Sequence, residues 1–198
     1  NRRLEQILDA LAQMPEDFDF RLDVMGKVWD PHLIYDKLTQ LNLGGRVHLH
    51  GFASELVLED TLRQAHLVLN LRHPSMGEAS GSQLRIWSAG APSAVTREGW
   101  YAELSDEVVY FIDLEDEAAQ LRSLFSKLAD DRNAARAIGT AGRAYFEAHH
   151  SPDSYAQKVV TFATETALQA SRNLALRLKF EEKAHALHPS LQKRLTTL

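Results

Sequence analysis

The chain has 198 residues, 44% of them hydrophobic, enough for one or at most two compact units with a real core. Its formal charge of −5 is at odds with the strongly basic face that nucleic-acid binding usually leaves, so no nucleic-acid partner is expected. With no cysteine there is neither a disulfide framework nor a thiolate zinc site, a reducing compartment is permitted, and no apolar run approaches the roughly 18–20 residues of a membrane span.

The chain begins at Asn1 without a signal-peptide pattern and reads as a fragment or processed product. Helical spacing starts at once in RRLEQILDALAQM, with Leu4, Ile7, Leu8 and Leu11 on one face. MPEDF is a turn, and FRLDVMG reads as a strand in which Phe20, Leu22 and Val24 alternate before Gly26 ends it. A helix from about Pro31 to Leu41 is expected to stop at Gly44-Gly45. RVHLHGF is the next strand, SELVLEDTLRQA a helix, and HLVLNL an apolar strand. After a loop, a further helix runs to about Ala89 and is closed by Gly90 and Pro92. The strand PSAVT, the loop REGWYAELSD and the strand VVYFI follow, then helices over about 115–130, about 132–148 and from Ser151, where Ser151-Pro152 forms an N-cap and N1 pair. Strands alternating with helices of this length predict an α/β fold, a parallel sheet with helices on both faces. Residues 166–198, rich in Arg, Lys, Leu and Ala, read as a helical extension outside a domain spanning 1–165.

The loop LRHPSMGEAS stands out because folding alone does not call for it. Ser80, Gly81, Ser82 and Gln83 have the form of a capping box, in which the Ser80 hydroxyl caps the helix and the Gln83 side chain reaches back. In a parallel sheet this loop lies at the carboxyl edge, where ligands of open α/β folds bind. Free N–H groups and the positive helix end favour an anion there, while Gly81 lets backbone come close. Glu78 beside such a site suits neutral hydroxyls better than more phosphate. A phosphorylated sugar presents that combination; the plain alternative is a well-capped surface helix with a solvated glutamate.

The string LNLRHPSMGEASGSQLRIWSAGAPSAVTREGWYAEL resembles the donor-binding half of GT-B glycosyltransferases, in the large retaining family that includes sucrose synthase and bacterial polysaccharide mannosyl- and glucosyltransferases. HGFAS before a helix and HHSPDSYA opening a late one fit the same pattern in the same order, over roughly residues 2–165. The resemblance implies a Rossmann-like domain, one half of a GT-B fold, whose partner would be an N-terminal acceptor domain that this chain lacks. It implies transfer of a hexose from a nucleoside diphosphate sugar to a glycan or lipid-linked acceptor, with no metal and no cofactor beyond that substrate. Glu78 matches the first acid of the family's E-x7-E motif and would hold sugar hydroxyls. Backbone at Gly77, Ala79, Ser80, Gly81 and Ser82 would approach the sugar and diphosphate. Arg2 stands where the family usually has a lysine and would meet the diphosphate; Gly51, Phe52 and Ala53 match the turn beside the nucleobase. Such groups act on charge growing on the departing diphosphate. Ile86 stands where the second acid belongs, and the strand expected before Arg2 is absent. The resemblance implies a cytoplasmic protein, with contact at the inner face of a membrane as the alternative location.

Other residues carry competing readings. Asp17-Phe18-Asp19 has the form of a metal-binding D-x-D, but it precedes a strand rather than following one. His48 and His50 share a strand face with no third ligand in view, so a structural role is expected. Arg72 ends a strand at the ligand edge, where phosphate or a neighbouring carboxylate is its expected partner, and His73 in the donor loop is read as a donor contact or a loop-packing histidine. Trp100, Tyr101 and Glu103 lie on the next such loop, and of that trio Glu103 best fits the donor. His149-His150 read as structural. Arg172, Arg177, Lys179 and Lys183 read as a solvated helix face, with membrane-surface contact as the rival. No G-x-G-x-x-G or P-loop occurs, which leaves a dehydrogenase or NTPase without a motif. Two further functions remain open: a degenerate, non-catalytic glycosyltransferase-like module that binds glycans or proteins, and a sugar-nucleotide epimerase.

Overall fold

The computed structural model describes residues 2–185, and the chain divides into two compact units after His150. The first opens with α1 (Leu4–Ala12), β1 (Leu22–Met25), α2 (Pro31–Gln40), β2 (Val47–Gly51), α3 (Glu55–Gln64) and β3 (Val68–Leu69). It continues with α4 (Gly81–Ser88), β4 (Ser93–Thr96), a 3₁₀ turn (Gly99–Glu103), β5 (Tyr110–Ile112), α5 (Glu117–Asp130) and α6 (Arg132–His149). β1 pairs with β2, and β3, β4 and β5 form a second sheet in that order; every ladder is parallel.

Side-chain alternation shows how the layers form. On β4, Ala94 joins a core with Ile7, Leu8 and Leu11 of α1 and Leu121, Leu124 and Phe125 of α5. Its neighbour Val95 joins Trp87 of α4, Tyr101 and Val109 on the opposite face. All four β4 residues are buried, as a strand covered by helices on both sides must be. β1 differs: each of its residues is only half-buried, and Asp23 on its polar face bonds His50 of β2 at 2.6 Å. α6 packs on α4 through glycine. A Cβ at Gly142 would strike the Trp87 ring, and one at Gly139 would strike the Gly90 carbonyl. Arg3, at the start of α1, grips the buried carboxylate of Glu117 with Nε 3.0 Å from Oε2, tying α1 to α5.

Local sequence explains most element ends. Asp30 caps α2 by accepting from Leu33 N, and Pro31 follows at N1. The expected stop at Gly44-Gly45 is corrected: Asn42 takes the left-handed conformation, φ 54°, while Leu43 N donates to Leu38 O. That is a Schellman closure with asparagine, whose short polar side chain tolerates αL. Gly90, φ 72°, closes α4 in the same way, with Ala91 N donating to Ile86 O. The apolar run HLVLNL yields only two ladder residues, because beyond Asn70 the backbone turns to side-chain partners: Arg72 N donates to Thr96 Oγ1 at 3.0 Å.

The second unit contains α7 (Pro152–His185). Ser151 caps it, accepting from Ser154 N at 3.2 Å, with Pro152 at N1. The helix is continuous through residues 165 and 166, where the sequence suggests a boundary, and Arg172, Arg177, Lys179 and Lys183 on it are exposed. No helix among the described residues is long and apolar enough to cross a membrane.

Candidate functional site

Within each parallel sheet the loops leave the carboxyl ends of the strands together, those after β1 and β2 in one sheet and those after β3 and β4 in the other. Arg72, His73, Gly77, Glu78, Ala79 and Ser80 lie on the β3–α4 loop, residues 70–80. It is pinned below by a buried polar network. Asn70 Nδ2 donates to Gln83 Oε1 at 3.0 Å and to Tyr101 Oη at 3.1 Å, and Gln83 Nε2 donates to Ser93 Oγ at 2.7 Å. Asn70, Gln83, Ser93 and Tyr101 are all buried. The capping box is therefore only half made. Ser80 Oγ accepts from Gln83 N at 3.2 Å, but the Gln83 side chain turns inward to Asn70 and Ser93 instead of reaching back. Two good partners in the interior outweigh one bond at the rim, since a buried amide left unmade is costly.

Above this network sit the charges. Arg2 Nη1 donates to Asn70 Oδ1 at 2.6 Å, and its other terminal nitrogen reaches Ser82 Oγ at 3.3 Å, so the guanidinium lies at the N-terminal end of α4. Partial burial, and then the positive charge of Arg72, hold Arg2 below its ordinary pKa, while Tyr101 and Glu78 act in the opposite sense. Arg72 is largely buried and pairs through Nη1 with Glu78, whose side chain is about half exposed. Gly77, at φ 83°, makes the bend that carries Glu78 outward. The structure thus gathers Arg2, Arg72, Glu78 and Ser82 at one helix start.

The remaining predicted residues have other surroundings. His73 Nδ1 lies 3.0 Å from Glu98 Oε2, and this contact holds the Glu98 carboxyl below its usual range. A Cβ on Gly99 would meet Ser75 Oγ, so the β4 loop lies against the β3 loop. Gly77 and Ala79 are exposed, as is Gly81, whereas Ser80 is buried and its hydroxyl is engaged as the cap. Gly51, φ 64°, bends the chain after β2; Phe52 beyond it is 86% exposed, and Ala53 is half-buried. Glu103 is exposed at the end of the 3₁₀ turn. Tyr101, read as lying on the loop near the donor, is buried in the core, and Trp100 packs beside it. Ile86, in place of a second acid, is buried.

Asp17-Phe18-Asp19 lies in the loop before β1, and the rings of His48 and His50 are 6.4 Å apart, with His50 on Asp23. Among the described residues, no group of three or more His, Asp or Glu is placed to hold a metal ion. His150 stacks on Trp87 and meets Trp100 and Tyr145 edge-on or tilted, in the second core. The residues that sequence reasoning missed are Asn70 and Thr96. Their signal was polar side chains inside apolar runs, at Asn70 in HLVLNL and Thr96 in PSAVT. Trp29, 95% exposed on the loop after β1, was missed as well.

The fold is shared with solved glycosyltransferases. HepE from Anabaena, solved with UDP, aligns with a TM-score of 0.70 at 16% identity, covering 83% of this chain and 45% of HepE. Sucrose-phosphate synthase from Thermosynechococcus elongatus gives 0.69 at 21% identity, covering 85% of this chain and 44% of the synthase. A C-terminal domain of a group 1 family glycosyl transferase, LpcC from Francisella tularensis, gives 0.62 at 17%, covering 76% of this chain and 80% of that domain. The chain thus has the fold of one half of a GT-B enzyme and spans less than half the length of HepE and of the synthase. No curated protein sequence matches it. A family model described as glycosyl transferase-like matches residues 2–161, ending inside α7, and the chain belongs to that family.

Proposed function

We propose that this chain is the donor-binding half of a retaining, metal-independent glycosyltransferase. It would act with an acceptor-binding domain to move a hexose from a nucleoside diphosphate sugar to a glycan or lipid-linked acceptor, in polysaccharide synthesis at the cytoplasmic side of a membrane. The observation that carries this reading is the meeting of two guanidiniums, Arg2 and Arg72, with the open start of α4 and with Glu78.

The chemistry follows from the charges. As the bond from the anomeric carbon to the diphosphate breaks, negative charge grows on the leaving oxygen. Fixed cations and N–H groups aimed at that place lower the barrier, because they are oriented before charge develops. Arg2 is held in place by Asn70 and Ser82, and Arg72 by its burial and its backbone bond to Thr96. Glu78, with backbone from Gly77 to Ser82, would position sugar hydroxyls. Gly51, Phe52 and Ala53 would flank the base; His73 and Glu103 would complete the donor contacts. HepE's structures hold UDP and UDP-glucose, which makes uridine nucleotides the first probes.

Saturation-transfer NMR against UDP, GDP, ADP and their glucose or mannose conjugates tests this. One nucleotide should bind, and Glu78→Ala should remove contacts from the sugar while leaving those of the nucleotide. A wild-type chain that binds none of the nucleotides rejects the donor-site reading. A second reading, a degenerate binding module, is favoured by buried Ile86 in place of the second acid. Glycan binding indifferent to Glu78→Ala would support it.

A further inference from the structure

We infer that Glu78 is a resident counter-ion on Arg72 which an incoming diphosphate displaces, so that phosphate binding releases the Glu78 carboxylate to the sugar. This rests on the donor-site reading and adds an ordering to it.

The two partners of the ion pair are unequally held. The Arg72 side chain is 12% exposed, and its backbone N–H is bonded to Thr96 Oγ1; Glu78 is 47% exposed, on a loop bent at Gly77. When the pair opens, the carboxylate is therefore the partner that moves. Arg72 is also incompletely matched. Its Nη1 engages Glu78, yet Nε is buried without a hydrogen-bond partner, the one such side-chain atom among the described residues. A guanidinium carries five donors in a fixed fork, and an anion offering several oxygens satisfies more of them than one carboxylate oxygen does. Charge balance points the same way. Arg72 lies close enough to Arg2 to depress its pKa, and Glu78 acts in the opposite sense. Two cations with one exposed anion leave room for a further negative group.

The consequence is discrimination between substrate and product. A nucleoside diphosphate sugar gives displaced Glu78 hydroxyls to accept from. A bare nucleoside diphosphate offers it only additional negative charge, so Glu78 returns to Arg72 and competes with the product for that site.

Isothermal titration of the full chain with UDP and UDP-glucose decides the matter, with the corresponding guanosine and adenosine pairs used if uridine nucleotides do not bind. Glu78→Gln should tighten the bare diphosphate by between about threefold and tenfold. The sugar nucleotide should gain less, so the preference for it narrows. In an Arg72→Met background the Glu78→Gln gain should vanish. Where Arg72→Met loses the fold by circular dichroism, Arg72→Lys serves, and the gain should shrink. A gain that persists undiminished without Arg72 would mean simple through-space repulsion and overturn the exchange. So would the absence of any gain in Glu78→Gln. Failure of every nucleotide to bind wild type would instead remove the donor site itself, and the inference with it.

Discussion

Asn70 accepts from Arg2 Nη1 at 2.6 Å and, through its other amide atom, donates to Gln83 and Tyr101. One side chain thus links a cation at the rim to the buried base of α4 and to the loop after β4. Replacing it with leucine would strand the Gln83 carbonyl and the Tyr101 hydroxyl in the interior. Each stranded group costs about 1–3 kcal/mol, so Asn70→Leu should lower stability by about 2–6 kcal/mol in urea unfolding. Asn70→Asp should keep the bond to Arg2 but set a carboxylate against the Gln83 carbonyl. It should fall between wild type and leucine in stability.

Gly99 has φ 57° and lies where a Cβ would meet Ser75 Oγ and, at 3.1 Å, Ser75 Cβ. Gly99→Ala combines a left-handed alanine with a clash, and should cost about 1–3 kcal/mol while shifting the loop that carries Glu78. Adding Ser75→Gly removes both clashing atoms but leaves the backbone strain. The double variant should recover part of the loss, and recovery of all of it would show that φ was never the issue. Thermal unfolding of wild type and the two variants measures both shares.

Asp23 bears on acid stability. The Arg21 guanidinium, then His50, hold its carboxyl below the usual range. Its folded pKa is thus below its unfolded one, so its contribution is complete above about pH 4 and fades as pH falls toward the depressed native value. The unfolded chain takes up the proton first. Because the pair is partly solvated, the effect should stay below about 1 kcal/mol. Asp23→Asn should flatten the stability profile between pH 5 and 3 by that amount (pH limits approximate), read from urea midpoints at each pH. A profile identical to wild type would show that other carboxylates carry the acid sensitivity.

The sequence by itself determined the parallel α/β order, nearly every helix start, and the loop where chemistry concentrates. Those features rest on local rules: alternation and helical period, Asp30 and Ser80 as caps, Gly90 and Pro92 as a stop. It also placed Arg72 and Glu78 at the sheet edge, because parallel topology sends every β–α loop there, whereas Arg2 was reached only through the family resemblance. Tertiary structure alone decided what those charges do to each other. Arg2 meets Asn70 across 68 positions of chain, and Gln83 abandons its local capping partner for Asn70 and Ser93. Local rules rank a side chain's nearest partners along the chain, whereas burial ranks all partners by the cost of leaving them unmet. In this fold the second ranking overrode the first at Gln83, took Tyr101 into the core, and left half-exposed Glu78 paired to the largely buried Arg72.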